Sequence, residues 1–145
     1  MSDDTIIEGF PKNATELVVG EVNEWNGKRL AHLRTMRPAL DEGGWIRGPG
    51  IAIEASRIGE ILNGVRKLRD VAALDRVVAE IPLGKDAIRI GVQPFHGNQY
   101  AYVRRFYKSQ SGWMATTKGV NVRTEFIDDL IELVEKIAEA ASTTP

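Results

Sequence analysis

The chain is predicted to be an α+β protein of tandem β-β-β-β-α repeats. Two curved antiparallel sheets would hold their helices packed between them as an intramolecular pseudo-dimer. Three observations carry this. First, GWIRGPGIAI running into EASRIGEILNGVRKL reappears as GWMATTKGVNV running into TEFIDDLIELVEKI; an offset of 69 sets Gly50 on Gly119, Ile51 on Val120, Ile53 on Val122 and Leu68 on Ile137 without a gap. Self-similarity at that spacing marks a repeated supersecondary unit. Second, each copy carries a hairpin signal: Asn26-Gly27 suits a type I′ turn, which needs positive φ twice, and Phe95 and Gly97 match Trp25 and Gly27 at an offset of 70. Third, each copy closes on a helical stripe, Ile58, Ile61, Leu62, Val65, Leu68 and then Ile127, Leu130, Ile131, Val134, Ile137.

Taken in order, residues 1–15 contain Gly9 and Pro11 without sustained periodicity and read as a mobile tail. Residues 16–68 form the first unit. A short strand around LVVGEV leads through the Asn26-Gly27 hairpin into RLAHLRTM, where Ala31 and Leu33 face one side and His32 and Arg34 the other. Trp45 opens a third strand, Gly48-Pro49-Gly50 breaks the chain, Ile51 to Ile53 is a fourth strand, and Ser56 is a candidate N-cap for the helix. Residues 69–84 keep apolar spacing at Val71, Leu74, Val77, Val78 and Ile81 up to Pro82, and read as a helical connector. Residues 85–141 repeat the plan. Ile88, Ile90 and Val92 alternate strictly, Tyr100 to Tyr107 is the second strand, Trp113 matches Trp45, and the helix starts at Thr124. Residues 142–145 are a tail. Trp45 and Trp113, at strand starts, are expected to pack at the core or the sheet end.

A sheet-and-helix unit of about 55 residues buries too little surface to be comfortable alone. Leu133 lies off the main helical stripe, so the helix has more than one face to bury. Packing two units helix to helix solves both problems within one chain.

Composition bounds the function classes. Hydrophobic residues at 43% and charged residues at 27% suit a globular fold. There is no cysteine, which excludes disulfides and thiolate metal sites. No apolar run approaches the roughly 18 residues of a membrane span. The acidic start MSDDTIIEGF lacks a signal pattern, so a cytoplasmic, non-secreted protein without a membrane partner is expected. Net charge is −1, but the charges are segregated. From Lys85 to Gly119 there are six Lys or Arg against one acid, and from Thr124 to Ala140 six acids against one Lys. The strands are basic and the helix is acidic. His32 and His96 lack partners at metal-ligand spacing, and neither a phosphate-cradling Gly-rich loop nor a catalytic constellation is present, so no metal, cofactor or enzymatic activity is expected.

Phe95-His96-Gly97, then Arg104, Tyr107, Ser111-Gly112 and Lys118-Gly119-Val120-Asn121-Val122 form an ordered set. The first copy offers Trp25-Asn26-Gly27, Arg34, Asp41 to Gly44 and Gly50-Ile51-Ala52-Ile53. This order, found twice, resembles the positive-cofactor-four family of transcriptional coactivators over most of the chain. The resemblance implies a dimer-like binder of single-stranded or melted DNA, or of RNA, in a transcription, replication or repair role, with the matching machinery as partner and a nucleoid-associated location. Trp25, Phe95 and Tyr107 would stack on bases, and Arg34, Arg104 and Lys118 would hold phosphates. Tyr100, Tyr102, Arg105 and Lys28 complete the expected nucleic-acid-binding set. Such a ligand needs a cationic groove together with aromatic faces. The first copy departs from the pattern, with Arg37 where Tyr107 aligns and Pro49 where Lys118 aligns, so the second copy is expected to bind better. The alternative is a protein-interaction or assembly module of the same fold without nucleic acid. Whirly and purine-rich-element-binding proteins share similar double-sheet architecture, so fold alone would not decide.

Overall fold

The computed structural model describes residues 5–39, 43–71 and 75–142. Its first half contains β1 (Thr5–Pro11), β2 (Leu17–Trp25), β3 (Lys28–Pro38), β4 (Trp45–Glu54) and helix α1 (Ile58–Lys67). Its second half repeats them as β5 (Arg76–Leu83), β6 (Asp86–Phe95), β7 (Asn98–Ser109), β8 (Gly112–Arg123) and α2 (Ile127–Ser142). The sheets are antiparallel meanders in the orders β1-β2-β3-β4 and β5-β6-β7-β8. The α+β tandem pseudo-dimer is therefore the fold.

Both tight hairpins form as the sequence requires. Asn26 and Gly27 have φ of 51° and 76°, and His96 and Gly97 have 49° and 80°. Only this turn hand matches the twist of the flanking strands.

The strand inventory differs from expectation in three places, and β-bulges are the common cause. Residues 5–11, read as part of a mobile tail, are an edge strand on β2. Its register shifts between Ile7 and Phe10, which erases the alternation that marks a strand. Residues 76–83, read as part of a helical connector, form the edge strand on β6, with a shift between Val77 and Ala79. An added residue turns spacing of two into spacing of three or four, and so imitates a helix. The β-branched pair Val77-Val78 favours the strand. Finally, the Gly48-Pro49-Gly50 break does not divide two strands: β4 runs through it, and the irregularity is absorbed opposite Arg34 to Met36. The unit boundaries therefore move outward, to residues 5–71 and 76–142. Ser56 lies in a short 3-10 turn and caps nothing; Arg57 stands at the N-cap without a side-chain hydrogen bond. Helix α2 carries on to Ser142, and residues 1–4, 72–74 and 143–145 lie outside the described residues.

The helices are exchanged between the halves. Helix α2 lies across β1, β2 and β3 of the first sheet, while α1 lies on β5 and β6 of the second and against α2. Size complementarity fits each helix to its sheet. On the first sheet the small residues belong to the strands: a Cβ on Gly20 would meet Ile137 Cγ1 at 2.3 Å, and one on Gly9 would meet Leu133 Cδ2 at 2.9 Å. On the second sheet the small residue belongs to the helix: a Cβ on Gly64 would meet Ile90 Cδ1 at 2.5 Å. Leu133, off the main stripe of α2, is buried because it covers β1. A single core results, running from Val18, Val22 and Leu33 through Ile61, Leu130 and Ile137 to Ile88, Ile90 and Val103. Truncating any of these leucines or isoleucines to alanine removes about 2–5 kcal/mol of stability.

Polar links bind the halves at the periphery. Arg29 of β3 donates from Nη2 to the Ala140 carbonyl at 3.0 Å and from Nε to that of Ala141 at 3.4 Å, placing a cation at the negative end of α2. Arg66 reaches Glu135 at 3.1 Å, and Arg69 reaches Asp128 at 2.7 Å. These pairs are exposed and add little stability.

Candidate nucleic-acid interface

Strand alternation turns one face of each sheet to the helices and leaves the other free of them. On β7, Ala101 and Val103 point into the core, so Tyr100, Tyr102, Arg104 and Phe106 share the helix-free face. The register sets Gln93, Gly91, Arg89 and Ala87 opposite them on β6, and Arg123, Asn121 and Gly119 opposite the first three on β8.

Arg104 is the centre of this face. Its Nη1 donates to the Thr116 carbonyl at 2.8 Å and its Nη2 to Asn121 Oδ1 at 2.7 Å. Both acceptors are neutral, so the guanidinium is oriented without being neutralised. Burial pulls its pKa down from the usual arginine value. Two other arginines of the face are paired with acids: Arg89 with Glu80 at 3.2 Å, and Arg123 with Glu125 at 3.6 Å. Gly119, opposite Arg104, has no room for a side chain, since a Cβ there would lie 2.7 Å from the Arg104 Cα. The guanidinium borders a cleft of about 240 Å³ at the seam between the halves, whose lining includes Asn121 and Thr117 of β8, Pro49 of β4, and Lys12 and Glu16 of the β1–β2 turn.

Aromatic rings line the same face. Phe95, 58% exposed at the hairpin tip, meets Tyr100 edge-on with centroids 6.1 Å apart. Further along, Tyr102 and Phe106 lie 6.2 Å apart, and Arg89 sits 5.5 Å from the Phe106 centroid. Tyr102 departs from expectation. It is 6% exposed, its ring filling the space over Gly91, and burial raises the pKa of its hydroxyl. It supports the platform rather than offering a stacking surface.

Arg105 and Tyr107 do not join this face. Alternation turns them the other way, and Arg105 Nε donates to Asp86 Oδ2 at 2.9 Å. Tyr107 is 44% exposed near the far end of the β7–β8 hairpin, paired in register with Met114. Lys118 is exposed in the bulged part of β8, one residue from Gly119. Sequence reasoning had passed over Phe106 and Arg89, although both follow from the same alternation.

The first sheet has the same geometry with different chemistry. Trp25, Lys28, His32 and Arg34 share its helix-free face, and Trp25 is 65% exposed at its hairpin tip. Lys28 stands 3.7 Å from Glu54. Arg34, the counterpart of Arg104, sits in a closed network. Glu21 of β2, completely buried, takes Arg47 Nη2 at 2.9 Å and faces Arg34 Nε at 3.6 Å. Arg34 Nη2 donates to His32 Nδ1 at 2.9 Å, and the protonated His32 Nε2 donates to Asn23 Oδ1 at 3.0 Å. Burial lowers the Arg34 pKa; Glu21 opposes that and Arg47 adds to it. Position 70 residues on from Glu21 is Gly91. Trp45, expected to pack, is 53% exposed, while its counterpart Trp113 is half-buried with Lys108 Nζ 5.9 Å from its ring. Asp41, part of the resemblance, lies outside the described residues.

No helix among the described residues is long and apolar enough to cross a membrane. No family model matches the chain, and no curated protein matches it. Among solved structures, a chain in the crystal structures of MRP1/MRP2 from Trypanosoma brucei aligns over 97% of this chain and 84% of its own length, at 10% identity and a TM-score of 0.44.

Proposed function

We propose that the protein binds single-stranded nucleic acid along the helix-free face of the second sheet, in a transcription, replication or repair setting. The observation that carries this reading is Arg104: an oriented, partly buried guanidinium whose hydrogen-bond acceptors are all neutral, on the same sheet face as Phe95, Tyr100 and Phe106. A single strand offers what such a surface lacks, a phosphate for the cation and unpaired bases for the rings. The ordered motif resembling the positive-cofactor-four family supports the same ligand. Phe95 and Trp25, the exposed hairpin-tip aromatics, serve as stacking residues, and Lys118 as a further phosphate contact.

Anisotropy of a labelled single-stranded oligonucleotide, against the matching duplex at several salt concentrations, tests this. Single-strand binding should be tighter, with log K falling by about 0.7 per neutralised phosphate per log unit of salt. Absence of binding at low salt would overturn the reading.

A further inference from the structure

We propose that Arg34 and Arg47 form a second oxyanion site, occupied in the folded chain by the protein's own Glu21 carboxylate. The ligand class is a phosphate-type oxyanion; a phosphodiester is the form expected from the nucleic-acid reading, on which that part rests.

The geometry carries it. A fully buried carboxylate on a face turned away from the core is costly unless paired, and Glu21 is paired with two guanidinium groups. The pairing is uneven. Glu21 Oε2 is hydrogen-bonded by Arg47, but Glu21 Oε1 and Arg34 Nε are buried at 3.6 Å from each other, and neither has a hydrogen-bond partner among the described residues. One side of the clamp is thus too long for a hydrogen bond. A tetrahedral oxyanion, with more oxygens and longer reach than a carboxylate, could satisfy both. The second half shows the same position without the internal anion: Gly91 stands where Glu21 does, and Arg104 keeps neutral acceptors only. Glu21 therefore acts as a resident stand-in for phosphate. It silences the first sheet while the second stays open.

Glu21→Ala removes the carboxylate and vacates the space it fills, leaving Arg34 and Arg47 facing each other without a counter-ion. Its Tm should fall, and inorganic phosphate at about ten times its dissociation constant should raise it by about 5 °C more than it raises that of the unsubstituted protein, in which only the Arg104 face is open to phosphate; potassium chloride of equal ionic strength is the control for both. Phosphate should give no such excess with Glu21→Ala/Arg47→Gln, which lacks half of the clamp. In the oligonucleotide assay, the salt slope of Glu21→Ala should steepen by about 0.7 for each added phosphate contact. A folded Glu21→Ala protein that phosphate stabilises no more than the unsubstituted one overturns the site. So does a Glu21→Ala protein that stays unfolded at every phosphate concentration while the double variant folds. Excess phosphate stabilisation of Glu21→Ala without oligonucleotide binding by any form would keep the oxyanion site and remove the nucleic-acid reading instead. Oligonucleotide binding by the unsubstituted protein with no excess phosphate effect on Glu21→Ala would do the reverse.

Discussion

The helix-free faces of the two sheets share a backbone plan, yet they treat their central arginine in opposite ways. In the first sheet Arg34 is one member of a chain that runs Asn23, His32, Arg34, Glu21, Arg47, with the carboxylate fully buried. In the second sheet Arg104 is held by a backbone carbonyl and an amide, with no carboxylate paired to it among the described residues. The difference teaches that position alone does not make a ligand-binding cation. A guanidinium whose counter-ion is built in neutralises a buried carboxylate. One oriented by neutral dipoles is kept in place for an anion that comes from outside.

The largest expected effect concerns how the halves interlock. Gly20→Ile forces a side chain into the space of Ile137 and should destabilise the protein by about 3 kcal/mol in urea denaturation. Adding Ile137→Ala should restore part of that loss. If the double variant is weaker than the sum of the two single variants, the size match between this helix and this sheet is not what joins them.

Next come the arginines, whose effects should cross. Arg34→Ala leaves Glu21 buried with one partner and should cost about 3 kcal/mol of stability while changing oligonucleotide affinity little. Arg104→Ala abandons only neutral acceptors, and should cost about 1 kcal/mol of stability but lower affinity roughly tenfold or more. Urea denaturation and anisotropy on the same two variants decide it. Equal losses of affinity would erase the contrast between the faces. At the tips, Phe95→Ala should weaken binding about fivefold or more through lost stacking, and Trp25→Ala less, because Trp25 borders the self-neutralised face.

The smallest effect is spectroscopic. Burial raises the Tyr102 pKa, so in an alkaline titration followed at the tyrosinate band its hydroxyl should ionise above the ordinary tyrosine range. The neutral form is favoured in the folded state, so this contribution to stability is complete below pH ~10 and is lost as pH rises through the folded value. A Tyr102→Phe variant that still shows the late-ionising signal would contradict the assignment.

Much of this architecture is legible in the letters alone. The offset of 69 to 70 residues, the Asn26-Gly27 turn and the two apolar stripes specify the repeat, its hairpins and its helices. The face shared by Tyr100, Tyr102 and Arg104 follows from alternation, and so does the exclusion of Arg105 and Tyr107, which closeness in sequence obscured. Strands β1 and β5 were hidden because bulges interrupt the period that announces a strand. Tyr102 looked like an open ring because nothing local says that Gly91, eleven residues earlier, leaves the space it fills. Glu21 was hidden for a related reason. A single acid in an apolar strand looks exposed until Arg47, 26 residues away, is brought onto it by the folding of β4.

The exchange of large and small residues between helix and sheet also bears on how this chain could change over generations. Two first halves joined together would set Gly64 over Gly9, with a hollow where Leu133 now lies. Two second halves would drive Leu133 into Ile90. Neither half can serve as its own mate. The two halves are a couple of unlike members, and losing either one would strand the other.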